Sequence, residues 1–236
     1  MTDIDLDVIL SLYQEGCFPM GFMIGGREQV LVIEPPMRAC FEPATLHIPK
    51  RLKQTMRKSH WQFSTNQKFE TVIRYCSRDI PPTRLDNHVS HQKGSTSKSQ
   101  NLNQSYVNDD GVWITDYIKR SFCALHQRGF AHSLEVWQDR ELAGGIYGLA
   151  LGGVFFGESM FHLKRDASKI ALVQLVLLVE ELGFKLFDCQ FLTPHLARFG
   201  AREFKKSDFS LMLVDALQQK PADFETLKPG PLKNAT

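Results

Sequence analysis

Between Glu135 and Gly157 the apolar positions fall in short runs separated by turn signals, which predicts strand, turn, strand, turn, strand. Val136-Trp137 precede the polar turn Gln138-Asp139-Arg140, and Ile146-Tyr147 precede the Gly152-Gly153 pair. From Ala167 to Leu182 the pattern becomes helical, with Asp166 placed as N-cap and Gly183 as the residue past the C-terminus. Apolar residues between Ile170 and Val179 surround nearly the whole circumference, so this helix is expected to be buried. A second apolar run, Phe184 to Leu192, is short enough to be a central strand.

Elsewhere the pattern is sparser. Residues 3–15 alternate acids with Ile, Leu and Val at helical spacing, and 21–34 read as a hairpin through Gly25-Gly26. Pro35-Pro36 end it, and a short strand begins at Met37. Residues 49–60 form a helix opened by Pro49, followed by a strand at Trp61–Ser64 and a short helix at Lys68–Cys76. Thr115 is placed as N-cap of a helix reaching Arg128, and Asp208–Gln219 read as a last helix before a loose Pro/Lys-rich tail. From Arg78 to Asp110 hardly an apolar residue occurs. That stretch, about 79–110, reads as a mobile polar insertion, and its His88 and His91 lack metal-ligand spacing.

Composition narrows the class. At 236 residues with 43% hydrophobic residues, the chain can bury a real core. A net charge of +2 confines any nucleic-acid binding to a local patch. The densest such patch is Lys50, Arg51, Lys53, Arg57 and Lys58, which reads either as a solvated face or as a contact for RNA phosphate. The cysteines (17, 40, 76, 123, 189) form no pairing framework, which suggests a reducing compartment and no structural metal. An acidic N-terminus and the absence of a long apolar run point to a cytoplasmic protein without a membrane span.

The candidate chemistry lies at the two ends of the apolar centre. Glu158 stands where a Val/Phe-rich strand gives way to polar residues. Asp188 and Gln190 alternate on one face of the next strand, with Cys189 opposite. A buried acid needs a partner, and Gln190 is the nearest: its NH2 is expected to donate to Asp188, turning its carbonyl oxygen outward. The alternative is that Asp188 only braces the fold.

Several motifs, in order, resemble the leucyl/phenylalanyl-tRNA–protein transferase family. They include Tyr13-x-x-Gly16-x-Phe18-Pro19-Met20, Trp113-Ile114-Thr115, Ala131-His132-Ser133-x-Glu135-Val136-Trp137, Phe155-x-Gly157-Glu158-Ser159-Met160-Phe161 and Asp188-Cys189-Gln190. The resemblance spans about Tyr13 to Phe204. It implies an α+β fold: a small N-terminal α/β domain (1–62), and a C-terminal domain (63–236) like the GNAT acyltransferases, with a mixed central sheet. It also implies transfer of Leu, Phe or Met from aminoacyl-tRNA to an N-terminal Arg or Lys, marking the acceptor protein for degradation. The expected protein is a monomer that needs no cofactor or metal, because the aminoacyl ester is already activated. Gln190, held by Asp188, would accept a hydrogen bond from the attacking amine, and Glu158 would orient the aminoacyl group. Asp188 is left as base or orienter. Ile146, Phe155, Gly157, Met160, Leu175, Val179, Phe187 and Trp113 would bind the substrate, and the basic helix the tRNA. Asp188→Ala and Gln190→Ala are expected to fold normally yet transfer slowly.

The family's usual Trp-Trp-Ser-Pro-x-x-Arg stands here as Val32-Ile33-Glu34-Pro35-Pro36-Met37-Arg38, which removes a stacking platform and adds a negative charge. Two rivals remain: an acyl-CoA-dependent N-acetyltransferase, and a relative that binds tRNA or protein N-termini without turnover. The first would want a glycine-rich loop ahead of the helix at Ala167, and Phe161-His162-Leu163-Lys164-Arg165-Asp166 contains no glycine. Deletion of 86–108 is expected to leave thermal stability nearly unchanged.

Overall fold

The computed structural model describes residues 5–42, 44–58, 60–79, 113–225 and 227–233. The polar insertion, with His88 and His91, therefore lies almost wholly outside the described residues. The elements are α1 (Leu6–Gln14), β1 (Phe18–Ile24), β2 (Arg27–Ile33), β3 (Met37–Phe41), α2 (Lys50–Lys58), β4 (Trp61–Thr65), α3 (Phe69–Cys76) and α4 (Asp116–Gln127). They continue with β5 (Ala131–Gln138), β6 (Glu141–Leu151), β7 (Val154–His162), α5 (Ala167–Glu181), β8 (Leu186–Gln190), α6 (Pro194–Ala197), β9 (Arg202–Lys205), α7 (Lys206–Leu217) and β10 (Gly230–Pro231).

One mixed sheet of eight strands, in the order β10-β4-β5-β6-β7-β8-β3-β9, carries most of the fold, and β1-β2 form a separate hairpin. The β5-β6-β7 meander is antiparallel, as its turns predicted. Asp139 and Arg140 both take positive φ, the geometry of a two-residue hairpin turn that follows strand twist. β7 and β8 pair in parallel, and β3, from early in the chain, is an inner strand between β8 and β9.

Two apolar clusters cover the two faces. On one, α1, α3, α4 and α7 bury residues such as Tyr13, Ile73, Phe122, Tyr147 and Phe156. On the other, α5 buries residues around most of its circumference against Ile146, Phe155 and Phe187. Asp166 and Thr115 occupy the expected N-cap positions, but neither side chain bonds the helix. Asp166 sits at φ 66 and pairs with Lys169 instead. The tail differs from its sequence reading. Phe224 is 8% exposed against Phe155 and His132, and the buried Gln174 amide both donates to and accepts from the Lys233 backbone. A Pro/Lys-rich composition hides these two anchors.

Candidate functional site

β7 and β8 stay paired only from Val154–Leu186 to Phe156–Asp188, and past that point no pairing joins them. The unpaired strand ends beyond it frame a wedge that the Gln190–Glu158 side-chain hydrogen bond spans. Glu158 is aimed by a bulge: Gly148 opposes Gly157 and Tyr147 opposes Ser159, so Glu158 is the extra residue on its strand. Gly157 is required beside it, since a Cβ there would lie 2.8 Å from the Phe187 ring.

On the other side of the wedge, β8 ends in a tight three-residue turn about Gln190. Phe191 N–H donates to the Cys189 carbonyl at 2.7 Å, and Gln190 takes φ 64, an uncommon conformation for a residue with a side chain. That turn brings the Gln190 backbone N–H to Asp188 Oδ1 (2.8 Å) and swings its side chain across the gap, where Nε2 donates to Glu158 Oε1 at 3.0 Å. The amide therefore anchors on Glu158, not on Asp188 as the alternation suggested; a strictly extended strand would have left the two side chains parallel. Its Oε1 accepts no hydrogen bond among the described residues.

Asp188 is held elsewhere. It is fully buried, and Arg38, 1% exposed, donates Nε to Oδ1 (2.9 Å) and Oδ2 (3.0 Å) and Nη2 to Oδ2 (2.6 Å). The guanidinium also donates Nη1 to the Gly16 carbonyl at 2.7 Å and lies 4.8 Å from the ring centres of both Phe18 and Phe209. A planar five-donor fork is the side chain that can satisfy a buried carboxylate and a carbonyl together. Gly16, at φ 82, ends α1 in the left-handed conformation that turns its carbonyl toward Arg38.

Glu158 has a softer setting. Tyr13 Oη donates to Oε1 at 2.8 Å, while Oε2 is buried with no partner among the described residues. The Tyr147 hydroxyl, within the influence of the same charge, is equally unpartnered. Burial pushes the Glu158 carboxyl up to about 8; the Tyr13 and Gln190 hydrogen bonds oppose the rise and the Asp188 charge adds to it. At neutral pH it is mostly the neutral acid. Two acids 30 residues apart in sequence thus stand in contrasting environments, one locked to a guanidinium and one able to exchange a proton.

The structure brings Glu158, Asp188 and Gln190 together. Ile146, Phe155, Leu175, Val179 and Phe187 form one buried cluster on the α5 face with Met160 packed partly buried against it, whereas Trp113 packs on the opposite face. Lys50, Arg51, Lys53, Arg57 and Lys58 lie on α2, over the β4 side of the sheet. Arg38 and Tyr13 were missed as site residues. Their signal was an arginine leading straight into the apolar run Ala39-Cys40-Phe41, and a buried acid still in want of a cation. Within the altered 32–38 stretch Val32 is exposed and Glu34 is paired with Lys206 at 2.5 Å, so the added charge is partly offset. Among the described residues no group of three His, Cys, Asp or Glu could hold a metal ion, and no helix is long and apolar enough to cross a membrane.

Residues 96–214 match the family model described as leucyl/phenylalanyl-tRNA protein transferase. A leucyl/phenylalanyl-tRNA–protein transferase of Caulobacter vibrioides is 39% identical over 225 residues, covering 95% of this chain and 91% of its own length. The protein of the same name from Anaeromyxobacter dehalogenans is 38% identical over 218 residues, covering 92% and 81%, and that of Idiomarina loihiensis 37% over 215, covering 91% and 79%. With a family model matching half of its length and relatives of this identity along nearly all of it, the chain belongs to the leucyl/phenylalanyl-tRNA–protein transferase family.

Proposed function

We propose that this protein is an aminoacyltransferase that moves Leu, Phe or Met from its tRNA to the N-terminal Arg or Lys of an acceptor protein, marking it for degradation. The observation that carries the reading is the Gln190 amide, fixed through Nε2 to Glu158 across the mouth of the β7/β8 wedge with its carbonyl oxygen left to accept. An amine attacking an ester needs such an acceptor to align its lone pair, and a group that can relay its proton. Glu158, raised to about 8, matches the range in which an α-amine itself titrates. Its ionised form, the minor one at neutral pH, takes the proton released as the C–N bond forms and returns it to the ribose oxygen as the ester C–O bond breaks.

Asp188 acts as an orienter. Both its oxygens already accept from Arg38 or the Gln190 N–H, and it is closed to solvent, so its contribution is to hold the turn that presents Gln190. The α5-face cluster around Met160 is the receptor for an apolar donor side chain, and the cations of α2 face the RNA. The parallel, diverging β7-β8 pair flanked by helices supports a GNAT-like architecture for the larger part of the chain. The acyl-CoA alternative is disfavoured by the entry to α5, where a carboxylate, Asp166, stands in place of a glycine-rich pyrophosphate loop. No cofactor enters the scheme, and it runs in a cytoplasmic monomer.

The test is incubation with labelled Leu-tRNA or Phe-tRNA and a peptide beginning with Arg. Transfer indifferent to acetyl-CoA is the expected result. Acetylation of the peptide in its place, or binding without transfer, overturns the reading.

A further inference from the structure

The β6–β7 bulge has a second effect. With Tyr147 opposite Ser159 and Gly148 opposite Gly157, the consecutive side chains of Glu158 and Ser159 both turn to the α1/α3/α4 face of the sheet. Glu158 meets Tyr13 of α1 there, and Ser159 meets the Cys76 thiol of α3. Tyr147, 0% exposed, stands on the same face. Its ring lies edge-on to Phe122 at 5.3 Å, and Phe122 lies edge-on to Tyr13 at 6.5 Å. This one cluster therefore holds two buried oxygens with no hydrogen-bond partner among the described residues, Tyr147 Oη and Glu158 Oε2. Buried polar atoms are rarely left unmet, and two in one cluster point to a shared partner.

The hydrogen bonds at Glu158 fix where its proton sits. Oε1 accepts from Tyr13 Oη at 2.8 Å and from Gln190 Nε2 at 3.0 Å, which occupies both of its lone pairs. The proton of the neutral acid therefore resides on Oε2. That oxygen needs an acceptor while it carries the proton and a donor once it is ionised. The surrounding charges do not serve it. Arg38 and Asp188 are bound to each other, and burial keeps Tyr13, Tyr147 and the thiols of Cys76 and Cys123 protonated. A metal ion does not suit, since no group of three His, Cys, Asp or Glu gathers among the described residues. Tyr147 and Glu158 do not bond each other directly. A water about 2.8 Å from each oxygen would both give and receive, as the two charge states require.

We infer that a buried water links Tyr147 Oη to Glu158 Oε2, and that Tyr147 is thereby a positioning residue for the transfer. This rests on the transferase reading and deepens it. In the neutral acid Oε2–H donates to the water. In the carboxylate the direction reverses: Tyr147 O–H donates to the water, and the water to Oε2. Glu158 changes charge without rotating, so the bonds from Tyr13 and Gln190 to Oε1 survive each turnover.

The experiment compares the full chain with Tyr147→Phe, which removes one hydroxyl and keeps the ring. Magnetic relaxation dispersion of water counts long-lived internal waters, and carbon NMR of labelled glutamate reads the Glu158 midpoint. Transfer from labelled Leu-tRNA gives kcat and KM against pH. The variant is expected to hold one internal water fewer. Loss of a donor to the carboxylate should raise the Glu158 midpoint by about 0.5–1 pH unit. The transfer profile should move to alkaline pH by the same amount, which lowers kcat at pH 7 about three- to tenfold with little change in KM. A midpoint that stays or falls overturns the inference, because the hydroxyl then gives nothing to the carboxylate. A raised midpoint with an unchanged water count overturns it in favour of direct contact. One water fewer and a raised midpoint, in a protein that transfers no aminoacyl group, would uphold the water site and sink the transferase reading alone.

Discussion

Arg38 and Asp188, 150 residues apart in sequence, are joined by three hydrogen bonds inside a cage closed by the Phe18 and Phe209 rings. The pair links the end of α1, through the Gly16 carbonyl, to the strand that carries Gln190. Removing one member leaves a buried charge unmatched, which costs about 3–5 kcal/mol. Arg38→Met and Asp188→Ala are therefore both expected to lower stability by that amount in urea melts, and the double variant should recover a large part of it. Simple expectation from the sequence had Asp188→Ala folding normally. A melt equal to wild type for either single variant would remove the pair from its central place.

Glu158 gives a pH signature. Its carboxyl stands at about 8 in the fold, raised first by burial, against about 4.5 for an exposed glutamate. Between those values the folded state holds a proton that the unfolded state has released, so its contribution to stability is full below the lower value and lost as pH climbs through the upper. Glu158→Gln cannot titrate. The stability of wild type relative to this variant should fall steadily from pH 5 to pH 8 in paired thermal melts; a flat difference would show that Glu158 ionises normally.

Tyr13 modulates the same group, since its hydroxyl hydrogen bond stabilises the carboxylate and lowers the titration point. Tyr13→Phe should move the Glu158 midpoint above 8, read by carbon NMR of labelled glutamate and by an equal alkaline shift in the pH profile of transfer. A downward shift would mean that Tyr13 accepts from, and does not donate to, the acid.

Local patterning made the β5-β6-β7 meander and α5 readable, because period-two alternation, paired glycines and an all-round apolar helix each depend on residues close in sequence. The residues at the wedge, Glu158, Asp188 and Gln190, were singled out for the same reason. Arg38 and Tyr13 reach the site over 150 and 145 residues, and no local pattern carries such pairings. The Gln190 turn was equally hidden: a strand reading assigns φ near the extended range, and only the Asp188–backbone contact and the γ-like turn move the side chain to Glu158. The insertion deletion of 86–108 falls outside the described residues.

The tail offers a check on packing. Phe224 stacks 4.5 Å from His132 and 5.7 Å from Phe155, the latter a member of the α5-face cluster. Phe224→Ala should destabilise the protein by about 3 kcal/mol or more, the loss typical of a buried aromatic ring. A change below about 1 kcal/mol would return the tail to the loose state its composition suggests.

Gln190 separates strain from chemistry. Its φ of 64 costs a side-chain-bearing residue about 1–2 kcal/mol, which glycine escapes. Gln190→Gly should thus be as stable as wild type or slightly more so, while Gln190→Ala keeps the strain. Both lose the amide that bridges to Glu158, and both should lower kcat by about 10²–10³ with little change in KM, as expected for an interaction used only in the transition state. If the glycine variant gains stability and keeps its rate, the strained turn is a packing accident and Gln190 does not guide the amine. If the rate falls in both variants while their stabilities move in opposite directions, the strain is maintained to hold a side chain where the reaction needs it.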